Sequence, residues 1–179
     1  MRGGSLLRGA ATLFCAAALL AVTGCGPQLS KLSFRVDKRV HFVEPKDRAL
    51  IQVPLTIRWT VRDFTVSGPN PGPTDKDVGY FAVFVDRAPI KPGQTLKAVA
   101  KDDPACMRDR SCPDANYLSL RQIYTTTTTS VTLPRVATLA GTNDKTQLHD
   151  VTVVLLDTSG RRIGESAWHL TFKLKKRTF

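Results

Sequence analysis

"IQVPLTIRWTVR", residues 51–62, alternates throughout: Ile51, Val53, Leu55, Ile57, Trp59 and Val61 fall on one side, and Gln52, Pro54, Thr56, Arg58, Thr60 and Arg62 on the other. Only extended backbone turns successive side chains to opposite faces, so the run predicts a strand with one face in a core and one in water. Pro54 has no N–H to give to a neighbouring strand, which assigns its end of the run to a sheet edge or an irregular start. Further out, Leu32, Phe34 and Val36 alternate with Ser33, Arg35 and Asp37 in the same way. "GYFAVFVD", residues 79–86, is apolar on both faces and predicts a central strand covered on each side. "HDVTVVLLD", residues 149–157, and "SAWHLTFKL", residues 166–174, flank "TSGRRIGE", so the last third reads as a hairpin with Ser159-Gly160 in its turn. In its second arm Trp168, Leu170, Phe172 and Leu174 face one way, and His169, Thr171 and Lys173 the other.

Between these runs the chain turns often. "SGPNPGPTDKD", residues 67–77, is dense in proline and glycine and predicts a surface loop, and "DRAPIKPG", residues 86–93, predicts a turn. Residues 94–116 form an irregular excursion containing Cys106 and Cys112, of a length usually reserved for functional or stapled loops. Leu118, Leu120 and Tyr124 suggest one further strand and Ser130–Leu133 another, with the stiff side chains of Thr125–Thr129 suited to β structure between them. Glycosylation of those hydroxyls is the other reading of the threonine run. No stretch beyond the N-terminus carries helical periodicity. Together these signals predict an all-β domain, a single sandwich of about seven strands.

The N-terminus has a different character. Arg2 and Arg8 give a positive start, Ala10 to Val22 is apolar apart from Thr12, and Thr23-Gly24-Cys25 follow as small residues. This is the pattern of an export signal, and the apolar run is short for a bilayer span, which needs roughly 18 to 20 residues. Val22-Thr23-Gly24-Cys25 resembles the lipobox of bacterial lipoproteins. The resemblance implies cleavage between Gly24 and Cys25, a diacylglycerol on the Cys25 sulfur, and acylation of the new amino group. It divides the chain into a signal peptide over residues 1–24, a lipidated cysteine and short tether over 25–31, and the sandwich over 32–179. The expected location is the outer face of the cell membrane, or an outer membrane where the envelope has one. A plain secretory signal with an incidental cysteine is the alternative.

The sandwich itself resembles the fibronectin type III and immunoglobulin-like domains. "LTIRWTV" is similar to their second strand with its core tryptophan, here Trp59, and "GYFAVFVD" to their third, here opened by Tyr80. "TTSVTLPRVATLAGT" and "VTVVLLDTSGRRIGESA" are similar to the strand and corner ahead of the closing hairpin and to that hairpin, with Asp157, Ser159 and Gly160 in its turn. Two departures stand out: His149 sits where a tyrosine is usual, and residues 94–123 are extra. The resemblance implies an architecture used in exported proteins for adhesion and protein contact, although such sandwiches host many functions.

Loss of residues 1–24 removes Arg2 and Arg8 and no acid, leaving 24 basic against 15 acidic residues, a formal charge of about +9. A basic domain held at a membrane meets anionic lipid headgroups and envelope polymers. Arg58, Arg62, Lys173, Lys175, Lys176 and Arg177 are the candidate contacts to such a surface, their alternative role being a solvated rim and tail. Nucleic acid is not an expected partner in that compartment. Cys15 leaves with the signal and Cys25 takes lipid, so Cys106 and Cys112 remain as a pair, and an exported protein favours a disulfide between them. A metal or redox pair is the other reading, without C-x-x-C spacing or a histidine nearby in sequence.

Catalytic signals are weak. His41, His149 and His169 fall on separate strands in no metal-binding spacing, no G-x-S-x-G surrounds Ser159, and no phosphate-cradling glycine loop appears, "GTNDKT" reading as a polar turn. Asp102, Asp103, Asp109 and Asp114 suggest a paired-acid or calcium site, but Lys101, Arg108 and Arg110 among them make a mixed-charge surface loop the simpler reading. The expectation is a non-enzymatic envelope lipoprotein, without metal or cofactor, whose sandwich binds a partner protein or supports an envelope assembly. Binding of anionic lipid or envelope polymer is the second reading. A hydrolytic or metal-dependent activity resting on His149 or Asp102 is the third.

Overall fold

The structure, a computed structural model, describes residues 37–70, 72–137, 139 and 146–175, all within the compact unit Val36–Phe179. The signal peptide, Cys25, the tether, the strand expected over Leu32–Val36, most of "GTNDKT", Lys176 and Arg177 lie outside the described residues.

The fold is an all-β sandwich of two sheets, with nine strands among the described residues where about seven were expected. The smaller sheet joins β1 (Val40–Glu44), β3 (Leu55–Val61) and β7 (Ser130–Leu133) in that order, antiparallel throughout. The larger runs β2 (Leu50–Ile51), β9 (Trp168–Lys175), β8 (Thr146–Asp157) and β5 (Val78–Val85); β4 (Thr65–Val66) and β6 (Ile123–Thr126) both pair with the far side of β5. The closing hairpin is β8 and β9, as the sequence indicates, with Val151 opposite Leu170 and His149 opposite Phe172.

Alternation fills the space between the sheets. Leu55, Ile57 and Trp59 of β3 meet Phe81, Val83 and Val85 of β5, Val151, Val153 and Leu155 of β8, and Leu170 and Phe172 of β9. At its centre Trp59 packs edge-on against Phe81, ring centroids 5.2 Å apart. The run 51–62 proves to be two strands. Ile51 belongs to β2 in the larger sheet, and the strand of the smaller sheet begins only at Leu55, after Pro54 has interrupted the ladder. Both pieces keep the same parity because both sheets turn their apolar face toward the one core.

The second apolar face of β5 also has a cover. Tyr80, Ala82 and Phe84, with Val154 and Leu156 of β8, point away from the sandwich interior and pack against Ile90, Leu118, Ile123, Leu96 and Val99. The excursion is therefore a third layer laid over the larger sheet. It carries a 3-10 turn, Leu96–Ala100, and two five-residue helices, α1 (Pro104–Arg108) and α2 (Ala115–Ser119), so Leu118 lies on a helix and not on the strand anticipated for it. A single turn is too short to display a helical period. Its starts are nevertheless encoded: Asp103 accepts the N–H groups of Ala105 and Cys106, ahead of Pro104 at the first helical position, and Asp114 accepts that of Tyr117 at 2.7 Å.

Candidate functional site

The excursion is stitched at three levels. The Cys106–Cys112 disulfide, Cα atoms 5.2 Å apart, closes the loop between α1 and α2 and stabilises it by about 2 kcal/mol in the chain-entropy view. Beyond it, Tyr117 donates its hydroxyl to Asp103 at 3.1 Å, and the Arg121 guanidinium lies 3.5 Å over the Tyr117 ring and 3.6 Å from the same carboxylate. Third, the buried Arg162 reaches from the β8–β9 connection to the carbonyls of Ile90, at 2.5 Å, and of Glu165 and Ser166. The backbones of Gly93, Gln94 and Arg162 exchange hydrogen bonds in the same place. Burial pulls the Arg162 guanidinium below its ordinary value, and the nearby Glu165 opposes that pull.

The turn after β8 is equally determined. Asp157 accepts from the Ser159 N–H and hydroxyl and from the Arg161 N–H, at 2.9, 2.6 and 2.9 Å. Gly160 takes φ +81°, open to glycine, and a Cβ there would stand 2.9 Å from the Tyr80 hydroxyl. Where this turn meets the excursion there is a groove of about 470 Å³. Lys97, Arg110 and Arg161 line it, with Ser111 and Ser159 between them and Tyr80 at the base. Burial, then the Asp157 carboxylate, raises the Tyr80 phenol above its usual range, so it remains a hydrogen-bond donor at neutral pH.

No carboxylate is among the residues lining this groove. Arg39, Arg48, Arg58, Lys101 and Arg121 each lie within 4.0 Å of a carboxylate. Lys97 and Arg110 have no ion-pair or hydrogen-bond partner among the described residues, and Arg161 gives its side chain to the Gly93 carbonyl alone. Asp109, Asp114 and Asp157, which neighbour the lining residues in sequence, spend an oxygen on their own turns and do not line the groove. By contrast, the hollow around Asp37, Arg39, Asp63, Lys76 and Asp77 mixes both signs.

The surface cations anticipated from sequence are dispersed. Arg58 projects from the outer face of the smaller sheet, 3.7 Å from Glu44, and Arg62 follows at the end of β3. Lys173 and Lys175 lie on β9 in the other sheet, their side chains opposite in parity to Leu170, Phe172 and Leu174, so they project from the opposite side of the sandwich. Lys173 stands in register between the exposed Leu50 and Leu148. Lys97, Arg110 and Arg161 escaped the sequence reading because they are far apart in the chain; "MRDR" and "GRRI" were the local signals.

His149 is fully buried, stacked on Phe172, and its Nδ1 lies 2.7 Å from Asp86. A carboxylate only accepts, so Nδ1 carries the proton and Nε2 faces the core without a partner. No hydroxyl or thiol is hydrogen-bonded to that nitrogen, and the pair pins β8 to the turn after β5. Asp86 also takes a positive φ of 53° and accepts the Asp150 N–H at 3.0 Å. Asp86→Ala is expected to destabilise the domain by about 1–3 kcal/mol by orphaning Nδ1, and Asp86→Asn by less, since it keeps an acceptor and tolerates the backbone; urea titration of both variants measures this. Among the described residues no group of three His, Cys, Asp or Glu side chains is placed to hold a metal ion, and no helix is long and apolar enough to cross a membrane.

Acid should loosen the excursion. The Cys106 N–H, then the Tyr117 hydroxyl, hold the Asp103 carboxyl below its ordinary 3.8, and Ser111 does the same for Asp109. A depressed folded value contributes stability that is present above the unfolded value and lost as pH falls through the folded one. Thermal unfolding is therefore expected to be unaffected by these groups from pH 8 to 5 and to drop below about pH 4, with Asp103→Asn flattening that acid limb.

No protein family matches this sequence, and neither a curated protein nor a solved structure matches it.

Proposed function

We propose that this chain is an exported bacterial lipoprotein, anchored through Cys25, whose sandwich is a non-enzymatic binding domain of the cell envelope, with the stapled excursion as its recognition surface. The observation that carries the reading is the groove between the excursion and the Ser159–Arg161 turn: its walls are fixed by a disulfide, a buried arginine and a capped turn, while its polar side chains stand exposed. Recognition commonly sits on loops held by a rigid scaffold in this way. The strand pairing, β1-β3-β7 facing β2-β9-β8-β5, supports the immunoglobulin-like relationship that the sequence resembles.

Bulk placed in the groove tests the reading without touching the core. Ser111→Trp and Ser159→Trp are expected to abolish co-purification of the partner from mild detergent extracts, while lowering the melting temperature by no more than Ser111→Ala and Ser159→Ala, which lose the same hydroxyl bonds to Asp109 and Asp157 without adding bulk. Retention of the same co-purifying proteins refutes it. Lipidation is checked separately, as loss of the diacylglycerol mass from the N-terminal peptide of a Cys25→Ser variant.

A second reading, contact with anionic lipid or envelope polymer through the surface cations, draws support from the row Leu50, Lys173, Leu148, which combines exposed aliphatic groups with a flexible cation. Vesicle binding that weakens steeply with salt and with Lys173→Glu is its expected signature.

A further inference from the structure

We infer that the groove between the excursion and the β8–β9 turn is a binding site for a phosphate group. The inference deepens the proposed function, resting on the reading that the excursion is a recognition surface, and it names the chemistry recognised.

Three cations line one small groove with no carboxylate among its lining residues, and two of them, Lys97 and Arg110, have no partner among the described residues. Like charges brought together without a counterion repel one another, and an anion bound between them relieves that cost. A carboxylate carries a single charge and two oxygens. A phosphate monoester carries nearly two charges at neutral pH and three terminal oxygens, which suits a lining of two guanidinium groups and an ammonium. Arg161 holds one Nη on the Gly93 carbonyl, which orients the guanidinium and leaves its other N–H groups for a ligand. The Ser159 hydroxyl donates to Asp157 and the Ser111 hydroxyl to Asp109, so their free lone pairs can accept only from a donor, which a hydroxyl on the ligand's carbon skeleton supplies. Tyr80 and Thr95 supply neutral hydroxyl donors. Leu96 and Pro113 add apolar surface beside these groups, room for the carbon skeleton that bears the phosphate.

The test is a calorimetric titration of the detergent-solubilised full chain with inorganic phosphate, glycerol phosphate, short-chain phosphatidic acid and a glutamate-rich peptide, at 0.15 M salt. Saturable binding of the phosphate compounds is expected, weakened about tenfold by Arg110→Ala or Lys97→Ala and largely kept by Arg110→Lys and Arg161→Lys. Arg58→Ala, on the outer face of the other sheet, is expected to change nothing. Tighter binding of phosphatidic acid than of glycerol phosphate assigns the group to a lipid headgroup, and equal binding assigns it to a soluble or polymer-borne phosphate; both sustain the inference. Absence of saturable phosphate binding, equal weakening by Arg58→Ala, or binding of the acidic peptide without competition by phosphate overturns it. Those results leave the proposed function standing if Ser111→Trp still abolishes partner co-purification, so the two failures are distinguishable.

Discussion

Gly79→Ala is expected to prevent the sandwich from forming. Gly79 lies directly opposite Asp157 in the β5–β8 ladder, and a Cβ built there stands 1.9 Å from the Leu156 carbonyl oxygen and 2.8 Å from the Asp157 Cα. Both obstacles are backbone, so no side-chain rotation relieves the overlap. The two strands would have to separate where β5 and β8 join both apolar layers, at a cost above about 3 kcal/mol, a large part of the 5–15 kcal/mol that holds a typical domain together. Glycine inside a strand marks such a close approach of backbones. Far-ultraviolet circular dichroism and the soluble fraction on expression measure the effect. A variant that folds with wild-type stability would mean that β5 and β8 do not pair in this register.

Replacing residues 96–120 by a short linker is expected to be nearly as damaging, although they lie outside both sheets. Tyr80, Phe84, Val154 and Leu156 would lose much of their cover. At roughly 1.5–3 kcal/mol for each large side chain returned to water, discounted because Ile90 and Ile123 remain, the loss is on the order of 5 kcal/mol. The shortened chain should melt far below the parent and bind a dye specific for exposed apolar surface. An unchanged melting temperature would show that the excursion is only an appendage. Truncation consequently cannot separate recognition from stability, which is why point changes in the groove are the informative test of function.

These two results bear on what the sequence made legible. Period-two alternation identified the strands around Trp59 and the second arm of the closing hairpin, and an unbroken apolar run the two-sided burial of β5, because burial on a pleated sheet is written directly into the pattern. Alternation reports which face a residue occupies and not which sheet, so Ile51 and Leu55 read as one strand although they lie in different ones. The cover over Tyr80 and Phe84 was implied by their apolarity, yet its identity was hidden. One-turn helices have no period, and Leu118 meets the sheet only through the tertiary fold. The disulfide was within reach because the export pattern at the N-terminus, with Cys15 and Cys25 set aside, left Cys106 and Cys112 as the expected pair. The groove was not, since Lys97, Arg110 and Arg161 acquire a common meaning only when Arg162 and Asp157 bring their segments together.

The pairing of β2 with β9 has a mechanical consequence. The segment Asp47–Ile51, near the start of the domain, runs parallel to its last described strand, held by Arg48 N–H to the Thr171 carbonyl at 2.6 Å, Lys173 N–H to the Ala49 carbonyl at 2.8 Å, and Thr171 N–H to the Asp47 carboxylate at 3.1 Å. In a parallel pair, pulling the start of one strand against the end of the other slides the two lengthwise, so these bonds share the load and do not open one at a time like a zipper. Tension applied between Asp47 and Lys173 thus loads these three bonds together in shear.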